Sequence, residues 1–147
     1  FLERPFLFRE ITKQGKYQNT NIGEATWQVR ICDLQKCISV VNNKEEELEF
    51  NLLINDPIKH YLPDNSIWKG CEGSYIVKLG KESCIKSGKK TGIPLLEASI
   101  GAFTRMWLGI LPASSLSISD ELDGPDRLLQ KLDKVFQLPK PYPDWDY

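Results

Sequence analysis

The hydrophobic period of this chain changes near Leu95, and that change limits the fold more than any other feature. Upstream, apolar residues recur every second position. Leu48, Phe50, Leu52 and Ile54 point one way, and Glu47, Glu49, Asn51 and Leu53 the other, which is the signature of a half-buried strand. From Leu95 the spacing reads as about 3.6, with Ile100, Phe103 and Trp107 beside Ala102 and Met106. This predicts an apolar helix over Leu96–Gly109, stopped by Gly109 and Pro112. Strands first and helices later imply an α+β domain: a largely antiparallel mixed sheet covered on one face by helices.

Other segments fit this frame. Trp27, Val29 and Ile31 alternate with Gln28, Arg30 and Cys32 as a strand would, and Asp33 can cap a short helix over Leu34–Val41. Asn55-Asp56-Pro57 ends the long strand. Ser74–Leu79 and Ser83–Lys86 flank Gly80-Lys81-Glu82 as a hairpin. After an acidic linker, a second helix is expected from Pro125 at the first helical position, burying Leu128, Leu129, Leu132, Val135 and Phe136. Lys13–Gly23 reads as a polar loop. The expected organisation is an arm or linker over 1–26, a domain over 27–137 and a proline-spaced aromatic tail over 138–147.

Charge and composition exclude several functions. A net charge of −1 over 147 residues offers no basic stripe for nucleic acid. No apolar run approaches the ~20 residues of a bilayer span, and no signal-peptide pattern is present, so a cytoplasmic protein is expected. The four cysteines, Cys32, Cys37, Cys71 and Cys84, have one histidine for company and no metal-ligand spacing. Reduced thiols are the expectation, with a disulfide between two of them left open. The chain begins at Phe1, which suggests a fragment or a processed form.

Catalytic motifs are weak. His60 precedes Tyr61-Leu62-Pro63 with no nucleophile elbow nearby. Glu45-Glu46-Glu47 and Lys86-Ser87-Gly88-Lys89-Lys90 read as solvated charge runs. Two features stand out. The helix around Ala98–Leu108 contains Gly101, which costs roughly 1 kcal/mol against alanine in a helix interior. It suggests close backbone packing or room for an apolar ligand near Phe103, Met106 and Trp107, with plain core packing as the simpler alternative. The tail carries Tyr142, Trp145 and Tyr147 between prolines. Ordering its ten residues costs about as much as burying three aromatics returns, so a neighbouring domain would tip the balance.

Three stretches also carry a resemblance: Trp27-Gln28-Val29-Arg30-Ile31-Cys32-Asp33-Leu34; Asn55-Asp56 with Trp68-Lys69-Gly70; and Ala98-Ser99-Ile100-Gly101-Ala102-Phe103-Thr104-Arg105-Met106-Trp107-Leu108-Gly109. In this order, and with an aromatic last residue, they resemble the sterol-carrier-like C-terminal domain of Eis-type N-acetyltransferases over about residues 25–147. The fold implied is that of sterol carrier protein 2. The resemblance implies an accessory domain, inactive alone, whose Tyr147 carboxylate serves as general base in the acetyltransferase site, with Asp146 helping to hold the amine. Acetyl-CoA would bind the acetyltransferase domain, supplied in cis or trans, because no segment here looks like its acetyl-CoA-binding loop. A carrier of lipids or other apolar molecules, without cofactor or metal, is the alternative. An oligomerisation module is a third expectation, since such enzymes assemble from several subunits.

Overall fold

The computed structural model describes the backbone of residues 8–11 and 17–20, and residues 29–45 and 47–139 in full. Two short strands, β1 (Phe8–Ile11) and β2 (Tyr17–Thr20), pair antiparallel. Part of the expected polar loop is therefore strand. Next come α1 (Leu34–Ser39), β3 (Leu48–Asn55), a 3-10 turn (Pro57–His60), β4 (Gly73–Leu79) and β5 (Cys84–Ser87). They are followed by β6 (Leu95–Ser99), α2 (Ile100–Trp107), α3 (Ala113–Ser119), β7 (Leu122–Asp123) and α4 (Asp126–Val135). The domain is α+β, as expected.

The main sheet runs β5-β4-β3-β6-β7, and β3–β6 is its parallel pair. β3 is central because it alternates cleanly. Leu48, Phe50, Leu52 and Ile54 are all buried, and the register sets Val77, Leu79, Leu96 and Ala98 on the same face. The helices add Ile38, Phe103, Met106, Leu116 and Leu132 to that one core. The opposite face carries Glu49, Lys78, Glu97 and Asp123. The chain crosses it between β5 and β6, where the Asn51 side chain holds the Lys90 main chain at both ends of its amide, at 2.8 and 2.9 Å.

Several expectations need correction. The helix does not begin at Leu96: Leu95–Ser99 is a strand, because Leu96 and Ala98 alternate inward and find Leu52 and Ile54 as parallel partners. Ser99 then caps α2, its Oγ accepting from Ala102 N at 3.1 Å. Gly101 is exposed, and a Cβ there would meet only Ser99 Oγ among the described residues, at 3.9 Å. Among the described residues it therefore marks no close backbone approach. The supposed acidic linker contains α3 and β7. Pro125 is the N-cap of α4 rather than its first residue. Trp27 and Gln28 lie outside the described residues, while Val29–Cys32 forms no strand and Val29 is 60% exposed.

The junction from β6 into α2 has no loop, so one hydroxyl sets where strand gives way to helix. Ser99→Ala is expected to lower unfolding free energy by about 1 kcal/mol, and Ser99→Asp to restore most of it, as measured by urea denaturation.

Candidate functional site

The densest polar cluster gathers around Asp56. This residue closes β3, and its side chain caps the turn begun by Pro57, Oδ1 accepting from Ile58 N at 3.1 Å. Its carboxylate is fully buried. Oδ2 accepts from Cys71 N at 2.7 Å and from the Arg30 guanidinium, which also forms the ion pair. Burial pushes the Asp56 pKa up, but the Cys71 N–H, the Arg30 guanidinium and the Ile58 N–H outweigh it and hold the carboxyl below its ordinary value. Arg30 in turn lies over the Trp68 ring, 5.4 Å from its centroid, a cation–π contact.

This cluster needs a glycine. Gly70 has φ +87°, and a Cβ there would come within 2.8 Å of Asp56 Oδ2. Neighbouring bonds lock the same segments together. Trp68 Nε1 donates to Cys32 O at 3.0 Å, Cys71 Sγ to Ile31 O at 3.6 Å, and Tyr75 Oη to Cys71 O at 3.0 Å. Ile31 N donates to Thr104 Oγ1 at 3.3 Å, which links the segment to α2. A cleft of about 580 Å³ opens beside the cluster, lined among others by Cys32, Trp68, Cys71, Tyr75 and Ile85.

The cluster's chemistry is that of a clasp. The Asp56 carboxylate is wholly enclosed and three donors of this chain converge on it, so its charge is spent on holding segments together rather than presented to the cleft. Burial, with Asp56 next, raises the Cys71 thiol, and burial, with Cys71 next, raises the Tyr75 phenol. Both stay protonated at neutral pH. Among the described residues no group of His, Cys, Asp and Glu could hold a metal ion.

The residues expected to line an apolar site lie on α2. Phe103 is fully buried in the core. Trp107 is half-buried, and its Nε1 donates to Cys37 O at 3.2 Å, fastening the end of α1. Met106 borders a second cleft, of about 340 Å³, with Gly109, Leu132, Phe136 and Leu138. Gly109 has φ +67°, and a Cβ there would lie 2.8 Å from Leu138 Cβ, so Leu138 is pressed against the turn that follows α2. Tyr142, Trp145, Asp146 and Tyr147 lie outside the described residues. His60 is exposed, as a loop histidine would be.

Reasoning from sequence missed the clasp. Asp56 looked like a strand terminator and Arg30 like the outward side of a strand. The available signal was an Asp before Pro57, capping position for a turn, with a Trp-Lys-Gly run downstream.

No protein-family model matches the sequence, and no curated protein matches it. Solved structures do. A conserved protein of unknown function from Enterococcus faecalis, described as a probable N-acyltransferase, superposes with TM-score 0.56 and 25% identity, over 76% of this chain and 25% of that one. A GCN5-related N-acetyltransferase from Kribbella flavida gives TM-score 0.60 and 19% identity, over 77% and 27%. This chain thus spans about a quarter of the length of these proteins. A conserved hypothetical protein from Thermus thermophilus, described as a possible sterol carrier protein, gives TM-score 0.37 at 16% identity over 69% and 73%, too little to carry an argument. The fold is therefore one that occurs within N-acetyltransferase structures. No helix among the described residues is long and apolar enough to cross a membrane.

Because the folded pKa of Asp56 is depressed, its stabilising contribution is present above the unfolded carboxylate value of ~3.9. That contribution is lost as pH falls through the lower, folded value. Asp56→Asn is expected to cost about 3–5 kcal/mol at pH 7, since it leaves Arg30 without its counter-charge, and to flatten the fall in melting temperature below pH 4. Thermal unfolding between pH 2.5 and 7 measures both effects.

Proposed function

We propose that this chain is a sterol-carrier-like module, inactive alone, that belongs to a larger N-acetyltransferase and sends its tail into the acetyltransferase site. The observation carrying the reading is the overlap with about a quarter of the length of two structures described as a probable N-acyltransferase and a GCN5-related N-acetyltransferase. The close seat of Leu138 on Gly109 supports it, because a tail that must arrive at a fixed place needs a fixed point of departure.

The finer assignment rests on the resemblance. The Tyr147 carboxylate is the proposed general base, and Asp146 the acidic neighbour of the amine. A carboxylate entering an apolar site has its pKa raised toward the range in which it can accept a proton near neutral pH. Acetyl-CoA belongs to the acetyltransferase domain, met in cis or trans, and the complex is cytoplasmic.

A second reading, a carrier of apolar molecules, is favoured by the apolar cleft at Met106. Native mass spectrometry of protein purified from cells separates the two. A stoichiometric lipid adduct supports the carrier, and a clean mass with no uptake of offered fatty acids or sterols overturns it.

The accessory reading predicts acetyl-CoA-dependent acetylation of a primary amine when residues 1–147 stand in their natural chain or are supplied with the acetyltransferase domain. Removing Tyr147 is expected to lower kcat about 10²-fold or more, with the domain's urea stability unchanged. An unaltered kcat overturns the tail's role. Absence of acetyl transfer with both parts present overturns the domain's role.

A further inference from the structure

We propose that Cys32 and Cys71 are a peroxide-responsive pair that closes to a disulfide across the cleft beside the Asp56 clasp. All four cysteines are free thiols in the structure, and this pair differs from the others in its placement. Cys32 is exposed, Cys71 is buried, and both border the same 580 Å³ cleft. The cleft gives solvent a route toward a sulfur that the fold otherwise encloses.

The main chain brings the two together. Cys71 Sγ sits 3.6 Å from Ile31 O, and Ile31 is bonded directly to Cys32. By standard backbone dimensions the Cys71 sulfur is then within roughly 6.5 Å of the Cys32 Cα. Trp68 Nε1 on Cys32 O and Arg30 over Trp68 keep the segments side by side. Cys32 Sγ now turns back toward Arg30 O, at 3.8 Å. Because Cys32 is exposed, its side chain has room to rotate about the Cα–Cβ bond toward the cleft it shares with Cys71, the motion a bridge between the two requires.

The chemistry needs a hydroperoxide as oxidant. The Cys32 thiolate attacks the peroxide: an S–O bond forms, the O–O bond breaks, and the departing oxygen takes a proton to leave as alcohol or water. Cys71 then attacks the Cys32 sulfur. The S–S bond forms, the S–O bond breaks, the Cys71 proton is released, and the oxygen departs as water. Two thiols and one hydroperoxide give one disulfide, one alcohol or water, and one further water. The exposed thiol meets the oxidant and the enclosed one resolves the intermediate. The bond would fasten the Arg30 segment to Cys71, the residue whose N–H holds Asp56.

The test is hydrogen peroxide treatment of the 147-residue chain, followed by intact mass, non-reducing peptide mapping and thermal unfolding. The expected result is loss of two hydrogens, a cross-linked pair of peptides containing Cys32 and Cys71, and a melting temperature raised by about 5–10 °C for a closed loop of roughly forty residues. Dithiothreitol should reverse all three. Cys32→Ser and Cys71→Ala should each abolish the bridge, whereas Cys37→Ser and Cys84→Ser should leave it. Should Cys71→Ala fail to fold, the exposed Cys32→Ser variant and the wild-type peptide map still decide the matter. A Cys32–Cys37 link, an intermolecular bridge, or sulfinic acid at Cys32 with Cys71 still open to alkylation overturns the proposal.

Discussion

A carboxylate with no exposure to water organises one end of this domain. Enclosing an unpaired charge costs several kcal/mol, so the site survives because three donors from three segments converge on Asp56. Arg30 comes from the chain before α1, Ile58 N–H from the turn after β3, and Cys71 N–H from the approach to β4. None of these is near another in the sequence. Satisfying the carboxylate therefore fixes where three connections run, which hydrophobic burial, being non-directional, does not do. The cluster constrains the chain in return: position 70 must be glycine, and Trp68 must lie flat beneath a guanidinium.

The second organising element is β3, where a mixed sheet imposes a topological demand. A parallel neighbour requires the chain to cross back over the sheet, usually through a helix. Here β4 and β5 form a hairpin, and the crossing is a short irregular run with a turn at 91–93 before β6. Such a run has few backbone partners of its own. Asn51 supplies them, its amide donating to Lys90 O and accepting from Lys90 N as a strand neighbour would. Lys90 Nζ reaches Glu49 on the same face at 2.6 Å. β6 then runs directly into α2, so sheet and helix meet at Ser99 without slack.

Legibility from sequence tracked how local the determining physics was. The clean alternation of β3, the Gly80 hairpin, the Asp33 cap and the apolar face of α4 are short-range signals, and each was readable. Leu95–Ser99 was not. Leu-Leu-Glu-Ala-Ser is a good helix sequence, and what makes it a strand is the parallel pairing with β3, a contact absent from any local window. Val29–Ile31 failed the opposite way, since alternation suggested a strand but no strand among the described residues pairs with it. α3 went unseen because Ala-Ser-Ser-Leu-Ser-Ile-Ser carries two inward residues, Ala113 and Leu116, in an otherwise polar run. The Asp56 cap before Pro57 was a local signal, but its pairing with Arg30 was not legible, because it joins segments distant in sequence.

These observations change what the resemblance means physically. Its three stretches, quoted as separate motifs, form one interlocked structure: Arg30 and Asp56 pair, Trp68 stacks on Arg30, Gly70 makes room for the carboxylate, and Thr104 ties Ile31 to α2. Residue types held together in this way are explained by folding alone, so their presence argues for the fold and not for an activity. Leu138 completes this packing, pressed on Gly109 just past the helix whose Phe103 and Met106 fill the interior.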